Sequence, residues 1–413
     1  MKILMFRPSF IPEISGGNHL ALDLIEDLIE EGYEIILIVP MPHRVKEKVK
    51  EKYRDKKNEE KYDGKLNIYR IEVPIKEKSI FSRGLRMIYI SFMMFWKSLF
   101  LKNINIIISH SMPIFIGTIS VILGKIKNIP VIYWEQDILS ESLITTGVVK
   151  KGLKKKFFYN LAKFFEKISS KFSDYIITIS KKFKKRHEKM NRTENIQVIY
   201  NWIDTNKLIP ISKKNNKLFD KYNLSRDKFY VTYCGNLGRA QNVEILIEAA
   251  KGLEFIDDLE IVIFGDGVRK EFIKSEIKRL NVNNVKIFPL QPLKDVAYVY
   301  SLGDIGLIIG RGGTSRNGFP SKTFSIMAAE QAVISCFDMD SELSSFIEEG
   351  NCGVAIHPDD PIKLKDTIIR MYNNKKMTFE MGKNARNYVK ENFSREKSTH
   401  KFLEIIKELI NTV

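Results

Sequence analysis

The chain has 413 residues, 44% of them hydrophobic and 28% charged. That length suits two domains of roughly 200 residues better than one, and the balance excludes a disordered chain. Lysine and arginine total 67 against 50 acids, a formal charge of +17, so an anionic partner is expected: nucleic acid, an anionic lipid surface or a phosphorylated substrate.

Strand-like apolar runs begin with KILMF at residue 2 and continue with EIILIV at 34, LNIYRI at 66, INIIIS at 104, PVIYW at 130 and YIITIS at 175. Helical patterns, such as residues 20–31, separate most of them. The lysine-rich stretch 45–64 reads as a polar, mobile loop. The longest apolar run, residues 87–101, contains Ser91, Lys97 and Ser98 and falls short of the ~18–20 residues a spanning helix needs. A second series follows: FYVTYC at 229, LEIVIF at 259, NVKIF at 284, DIGLII at 304, AVISC at 332 and GVAIH at 353. Apolar strands alternating with helices mean parallel sheets covered on both faces. Two such series predict an α/β protein of two doubly wound Rossmann-like domains, residues 1–200 and 201–394. The boundary falls in 200–227, which holds Pro210 and the polar run SKKNNKLFDKYN. The last helical pattern, within 395–413, is expected to pack back on the first domain.

The charge is uneven. Residues 150–189 hold 14 basic and 3 acidic residues, and the basic ones alternate with Phe157, Phe158, Leu161, Phe164, Phe165 and Ile168. A basic amphipathic helix of this kind suits a membrane surface, although a helix packing its aromatic face on its own domain gives the same pattern. Cys234, Cys336 and Cys352 have no metal spacing and read as buried reduced thiols. The chain opens directly on a strand without a leader pattern, which points to the cytosol.

Doubly wound sheets bind ligands at the carboxyl ends of their strands. Gly16 and Gly17 follow the first strand, just before a helix. Three later strands end in GNLGRAQN (Gly235, Asn236, Gly238, Arg239, Gln241), GDG (Gly265, Asp266, Gly267) and RGGTSRNGFPSK. Singly each loop is an ordinary turn. Together they predict a backbone-lined pocket for a phosphate-bearing ligand, with Arg239 and Lys322 as its cations and Lys322 in the first turn of a helix.

These loops, with Glu135-Gln136-Asp137 after PVIYW, VIYNWID at 198–204 and NGFPSKTFSIMAA at 317–329, resemble the GT-B glycosyltransferases of retaining family 4. The likeness is to the branch that builds surface polysaccharides such as O-antigen and capsule. It implies two domains facing across a cleft, and transfer of a sugar from a nucleotide-sugar donor, UDP-linked for preference, to a lipid-linked or glycan acceptor. It implies Gly16, Gly17, Glu135 and Asp137 on the acceptor side, and Arg239 and Lys322 at the donor diphosphate. It also implies that the backbone of Gly318 and Phe319, beside Ser321, meets the donor. Two family glutamates are replaced here, by Asn317 at the sugar and Ser325 at the ribose. His110, at the end of INIIIS, would face the cleft, or is simply a strand-end histidine. Arg239, Lys322 and Asn317 are the residues expected to carry the chemistry. The cations and amides would stabilise the leaving diphosphate without a metal or other cofactor, and no metal-ligand cluster stands out. Lys322 is expected in a solvent-lined cleft, with little weight in the core.

The basic stretch lacks any helix-turn-helix, zinc or RNP pattern, so no nucleic-acid partner is expected. An anionic bilayer is, which places the protein on the inner face of the cell membrane. A nucleotide-sugar 2-epimerase and a non-catalytic partner subunit of the same fold are the competing readings.

Overall fold

In the computed structural model of the chain, residues 1–13, 17–43, 45–76, 79–145, 153–190, 192, 194–316 and 318–411 are described. Two compact units form: Met1–Tyr200 with Ser398–Val413, and Asn201–Lys397.

Unit 1 is built on β1 (Lys2–Phe6), β2 (Glu34–Pro40), β3 (Asn58–Lys61), β4 (Leu66–Ile71), β5 (Ile106–His110), β6 (Val131–Glu135), β7 (Tyr175–Thr178) and β8 (Ile196–Val198). Their order is β3-β4-β2-β1-β5-β6-β7-β8, all parallel except the β3–β4 pair. The apolar runs became the central strands because a parallel strand buries both faces: Ile3, Leu4, Met5, Ile35, Leu37 and Ile38 are all sealed from solvent. The stretch 45–64 is not one long loop. It forms the helix Glu47–Tyr53 and then β3, which pairs antiparallel with β4 from Asn58↔Tyr69 to Lys61↔Leu66. The strand NEEK carries no apolar signal because it is an edge strand whose side chains stay largely exposed.

Unit 2 contains β9 (Phe229–Asn236), β10 (Leu259–Asp266), β11 (Val285–Phe288), β12 (Ile305–Ile309), β13 (Ala332–Cys336) and β14 (Gly353–Ile356), in the order β11-β10-β9-β12-β13-β14 and wholly parallel. This is the doubly wound 3-2-1-4-5-6 order. In each unit the order reverses beside the first strand, between β1 and β5 and between β9 and β12. At such a reversal successive crossovers leave for opposite faces, and a crevice opens at the carboxyl ends. The expected fold class holds: two Rossmann-like α/β domains. The helix Arg395–Asn411 begins with Arg395 paired to Asp204 at 3.2 Å, and its later turns pack in unit 1, where Phe402 meets Trp134 edge-on at 5.0 Å and Lys407 pairs with Glu31 at 2.8 Å.

Among the described residues no helix is long and apolar enough to cross a membrane. Cys336 and Cys352 are buried free thiols, and Cys234 is partly buried.

Glu330, which follows the helix Lys322–Ala328, holds φ at +60°. A side chain in left-handed backbone crowds the next carbonyl, and glycine escapes that penalty but loses more freedom on folding. Glu330→Gly is expected to stabilise the protein by about 0.5–1 kcal/mol, read as a higher urea midpoint at unchanged m-value.

Candidate functional site

In unit 2 the ends of β9 and β10 stay in register, Gly235 opposite Gly265 and Asn236 opposite Asp266. The two loops beyond them interlock: Leu237 N–H donates to Asp266 O at 2.8 Å, and Arg269 N–H donates to Leu237 O at 2.9 Å. This interlock explains two of the glycines. A Cβ on Gly267, whose φ is +150°, would sit 2.6 Å from Leu237 O. A Cβ on Gly238 would sit 2.6 Å from Gln241 Oε1 and 2.8 Å from Asn236 Nδ2, the atoms of the Asn236–Gln241 hydrogen bond. Asp266 turns its Oδ1 onto the Gly267 amide at 2.8 Å.

Lys322 opens its seven-residue helix, and its side chain runs back to the end of β9. Its Nζ is sealed from solvent and has no hydrogen-bond partner among the described residues. It lies 3.8 Å from the centre of the Tyr233 ring, and a Cβ on Gly235 (φ +140°) would come within 3.2 Å of it. A side chain there would sit tight against the ammonium and strain the backbone. Burial pushes the ammonium down to about 8, opposed by the neighbouring Cys234 thiol. The side chain is partly exposed as expected of a cleft, but its charged end is enclosed, with a π face as its main compensation. Arg239 is the opposite case, exposed, with no ion pair or hydrogen bond to its guanidinium among the described residues.

The third loop differs from expectation in its amides. Asp338 takes the N–H groups of Gly313 at 2.7 Å and Ser315 at 2.9 Å, and Asp359 takes that of Gly312 at 3.1 Å. Arg311 ties this loop to the GNLGRAQN loop, donating to Arg239 O at 2.8 Å and to Asn242 Oδ1 at 3.1 Å. These amides are thus committed to the loop's own rigidity. Sequence reasoning missed Arg311, Asn242, Asp338 and Asp359. The signal lay in the acids just beyond β13 and β14, in CFDMD and HPDD. Gly318 is partly buried, and Asn317 lies outside the described residues. Phe319 stacks on Phe324 at 5.5 Å, anchoring the segment that leads to Lys322. Ser321 caps the helix by backbone position alone, and Ser325 is partly buried.

In unit 1 a second cluster gathers at the ends of β1, β5 and β6. His110 is buried, and its Nδ1 accepts the Met112 N–H at 2.9 Å. Burial and the adjacent Arg7 hold it well below the usual imidazole range, so it is neutral. Arg7, unremarked in the sequence, donates from NH2 to Gly17 O at 2.8 Å and faces the Trp134 ring at 5.2 Å. Ser111 Oγ receives the Gln136 and Asp137 amides at 3.1 and 3.2 Å, fixing the turn after β6. Gly16 lies outside the described residues. Glu135 turns away into a buried network: its Oε2 meets His187 Nε2 at 2.7 Å, His187 Nδ1 meets Ser170 Oγ at 2.7 Å, and Arg186 bridges to Glu166, which also takes Ser140 Oγ at 2.6 Å. Among the described residues no cluster of three His, Cys, Asp or Glu could hold a metal ion.

The fold has close counterparts. Sucrose-phosphate synthase from Thermosynechococcus elongatus superposes over 100% of both chains with a TM-score of 0.79 at 15% identity. HepE of Anabaena, solved in complex with UDP-glucose, does so over 100% of both chains with a TM-score of 0.70 at 16% identity. The architecture is that of the GT-B glycosyltransferases. Residues 14–207 match the profile described as Glycosyltransferase Family 4, and residues 214–388 match Glycosyl transferases group 1. The chain belongs to this group 1, family-4-like set of glycosyltransferases. Among its relatives, the putative colanic acid biosynthesis glycosyl transferase WcaI of Escherichia coli (strain K12) is 23% identical over 84% of this chain and 86% of that one.

Asp137 remains solvent-accessible, yet burial and then the charge of Glu135 push its carboxyl up to about 6, with Arg7 opposing. A carboxyl whose folded pKa is raised adds stability below its unfolded value and loses it as pH climbs through the folded value. Asp137→Asn is therefore expected to be more stable than the parent near neutral pH, with the gap closing toward about pH 4. Urea unfolding of both proteins across that range checks it; a gap independent of pH would contradict the placement of Asp137.

Proposed function

We propose that the chain is a retaining hexosyltransferase that takes its sugar from a nucleotide-diphosphate donor, UDP-linked for preference, and builds cell-surface polysaccharide on a lipid-linked or glycan acceptor. The observation that carries this reading is the enclosed Lys322 ammonium beneath Gly235, which has no anionic partner of its own. A diphosphate at the strand-order reversal of unit 2 supplies that partner. As the sugar C–O bond breaks, its electron pair moves onto the β-phosphate oxygen. Lys322 stabilises that charge from within a desolvated site, where the interaction is strongest. Arg239, exposed and uncommitted, adds a second cation from the loop, and the Gly318–Phe319 backbone and Ser321 flank the donor. The acceptor hydroxyl attacks the same face and gives its proton to the departing phosphate, so no protein nucleophile or metal is required. Support for the donor class comes from HepE, solved with UDP-glucose. Support for the pathway comes from the colanic acid relative.

Lys322→Met is expected to lower kcat/KM by roughly 30- to 1,000-fold, as for loss of about 2–4 kcal/mol of transition-state stabilisation. The assay is run in excess EDTA, where the parent keeps full activity. The stability of the variant moves the other way. A lysine with a depressed folded pKa loses stability as pH falls through about 8, so removing it raises the unfolding midpoint at neutral pH. Activity within about threefold of the parent, or parental activity abolished by EDTA and restored by magnesium, would overturn the mechanism.

A peripheral position on the cytoplasmic side of an anionic membrane belongs to the same reading. The helix Leu153–Phe172 buries Ala162, Glu166, Ser169 and Ser170 and turns Phe157, Phe158 and Phe164 outward. Its neighbour through Ile114–Lys127, the helix Ile80–Leu99, exposes Phe81, Leu85, Ile88, Phe92 and Trp96, spaced three or four apart along one face. Lys156, Lys163, Lys167 and Lys171 are exposed among the aromatics. Aromatics flanked by lysines suit a headgroup interface, each lysine contributing about 1 kcal/mol on an anionic surface. Sedimentation with phosphatidylglycerol vesicles is expected to pull the protein down at low salt and less at high salt, and Phe92→Ser with Trp96→Ser to weaken it further. Equal recovery in the supernatant at both salts would refute it.

A further inference from the structure

Arg7 is a second buried cation whose bonding is incomplete, and the reading above gives it no task. It directly follows β1, at the strand-order reversal of unit 1, and is 2% exposed. Its NH2 donates to Gly17 O, and its plane faces Trp134. Its Nε and NH1 are sealed from solvent and donate to none of the described residues, and no carboxylate among those residues lies within ion-pair distance. Unlike a lysine, a guanidinium does not shed its proton to relieve burial. A methionine of similar length would remove the penalty, so arginine here carries a cost that one hydrogen bond and one ring contact offset only in part.

We propose that the recess at the carboxyl ends of β1, β5 and β6 binds an oxyanion, phosphate or carboxylate, through the free donors of Arg7. In the transferase reading, on which this clause rests, the oxyanion is a charged group of the acceptor. The neighbours fit. His110 accepts at Nδ1 from the Met112 amide, so its ring proton sits on Nε2, which no described residue engages. Gly17 keeps the approach open, since a Cβ there would lie 3.3 Å from Arg7 NH2. Asp137, the one nearby acid outside the Glu135 network, holds its proton more readily than an ordinary carboxyl, which softens its opposition to an incoming anion. Hydrogen bonds from a charged donor to an oxyanion are short and strong, and the planar fork selects for that geometry.

The test uses the full chain carrying Lys322→Ala and Arg239→Ala, so that neither donor cation can bind the probe. Calorimetric titration with inorganic phosphate is expected to show one site. Adding Arg7→Gln is expected to weaken it at least about tenfold, as for loss of a charge-assisted hydrogen bond, while Arg7→Met weakens it similarly without lowering the thermal midpoint. Unchanged affinity in Arg7→Gln overturns the proposal. Should either variant fail to fold, the His110 ring resonances of the Arg7-containing chain are followed during the same titration, and no movement at saturation overturns it equally. Farnesyl phosphate and glucose 6-phosphate, competed against inorganic phosphate, separate a lipid carrier from a phosphorylated sugar, and competition by neither removes the acceptor role. Phosphate binding at Arg7 in a chain that turns over no nucleotide sugar would uphold this site and count against the transferase reading alone.

Discussion

An ammonium group enclosed without an acceptor is the constraint around which unit 2 is arranged. Lys322 reaches the end of β9 beside a position without a side chain, and the π face of the Tyr233 ring offsets part of the cost of its enclosure. Its helix is held by an aromatic stack: Phe324 packs on Phe319 at 5.5 Å and on Phe393 at 4.8 Å, and Phe346 meets Phe393 at 4.8 Å. The Arg311, Asp338 and Asp359 bonds then hold the flanking loop. Rigid support of this kind costs stability at the cation and returns it as preorganisation, because donors already in place need not reorient as charge develops.

Unit 1 repeats the logic with different residues. Arg7 occupies the position after the first strand at the other reversal of strand order, and it too is buried with donors left over. Beneath it the Glu135–His187 and Arg186–Glu166 pairs form a polar core to one side of the sheet. This explains an inversion in the helix Leu153–Phe172. Its small and acidic residues face inward to bond that network, which leaves Phe157, Phe158 and Phe164 on the outside. Polar satisfaction, not hydrophobicity, decides which face of this helix is buried.

Of the twelve strand-like runs in the sequence, ten correspond to interior strands, which are apolar because they are buried on both faces, and two to β11 and β14 at the edges of the unit 2 sheet. The two strands without that signal, β3 and β8, are the short edges of the unit 1 sheet, with one side unpaired. The glycines of the GNLG and GDG loops were legible for a similar reason: left-handed backbone and close approach leave few alternatives.

The sequence by itself determined the two-domain α/β class, the glycine loops at strand ends and the identity of Lys322 as a cation of interest, because each depends on local pattern or on the residue type alone. Only the tertiary structure decided that Lys322 is enclosed and unpaired, that the Gly312, Gly313 and Ser315 amides belong to Asp338 and Asp359, that Glu135 faces a buried histidine, and that Arg7 has donors to spare. Burial and partnering are set by residues tens to hundreds of positions away in the chain, and one-dimensional spacing holds no record of which of those side chains arrive at the same place.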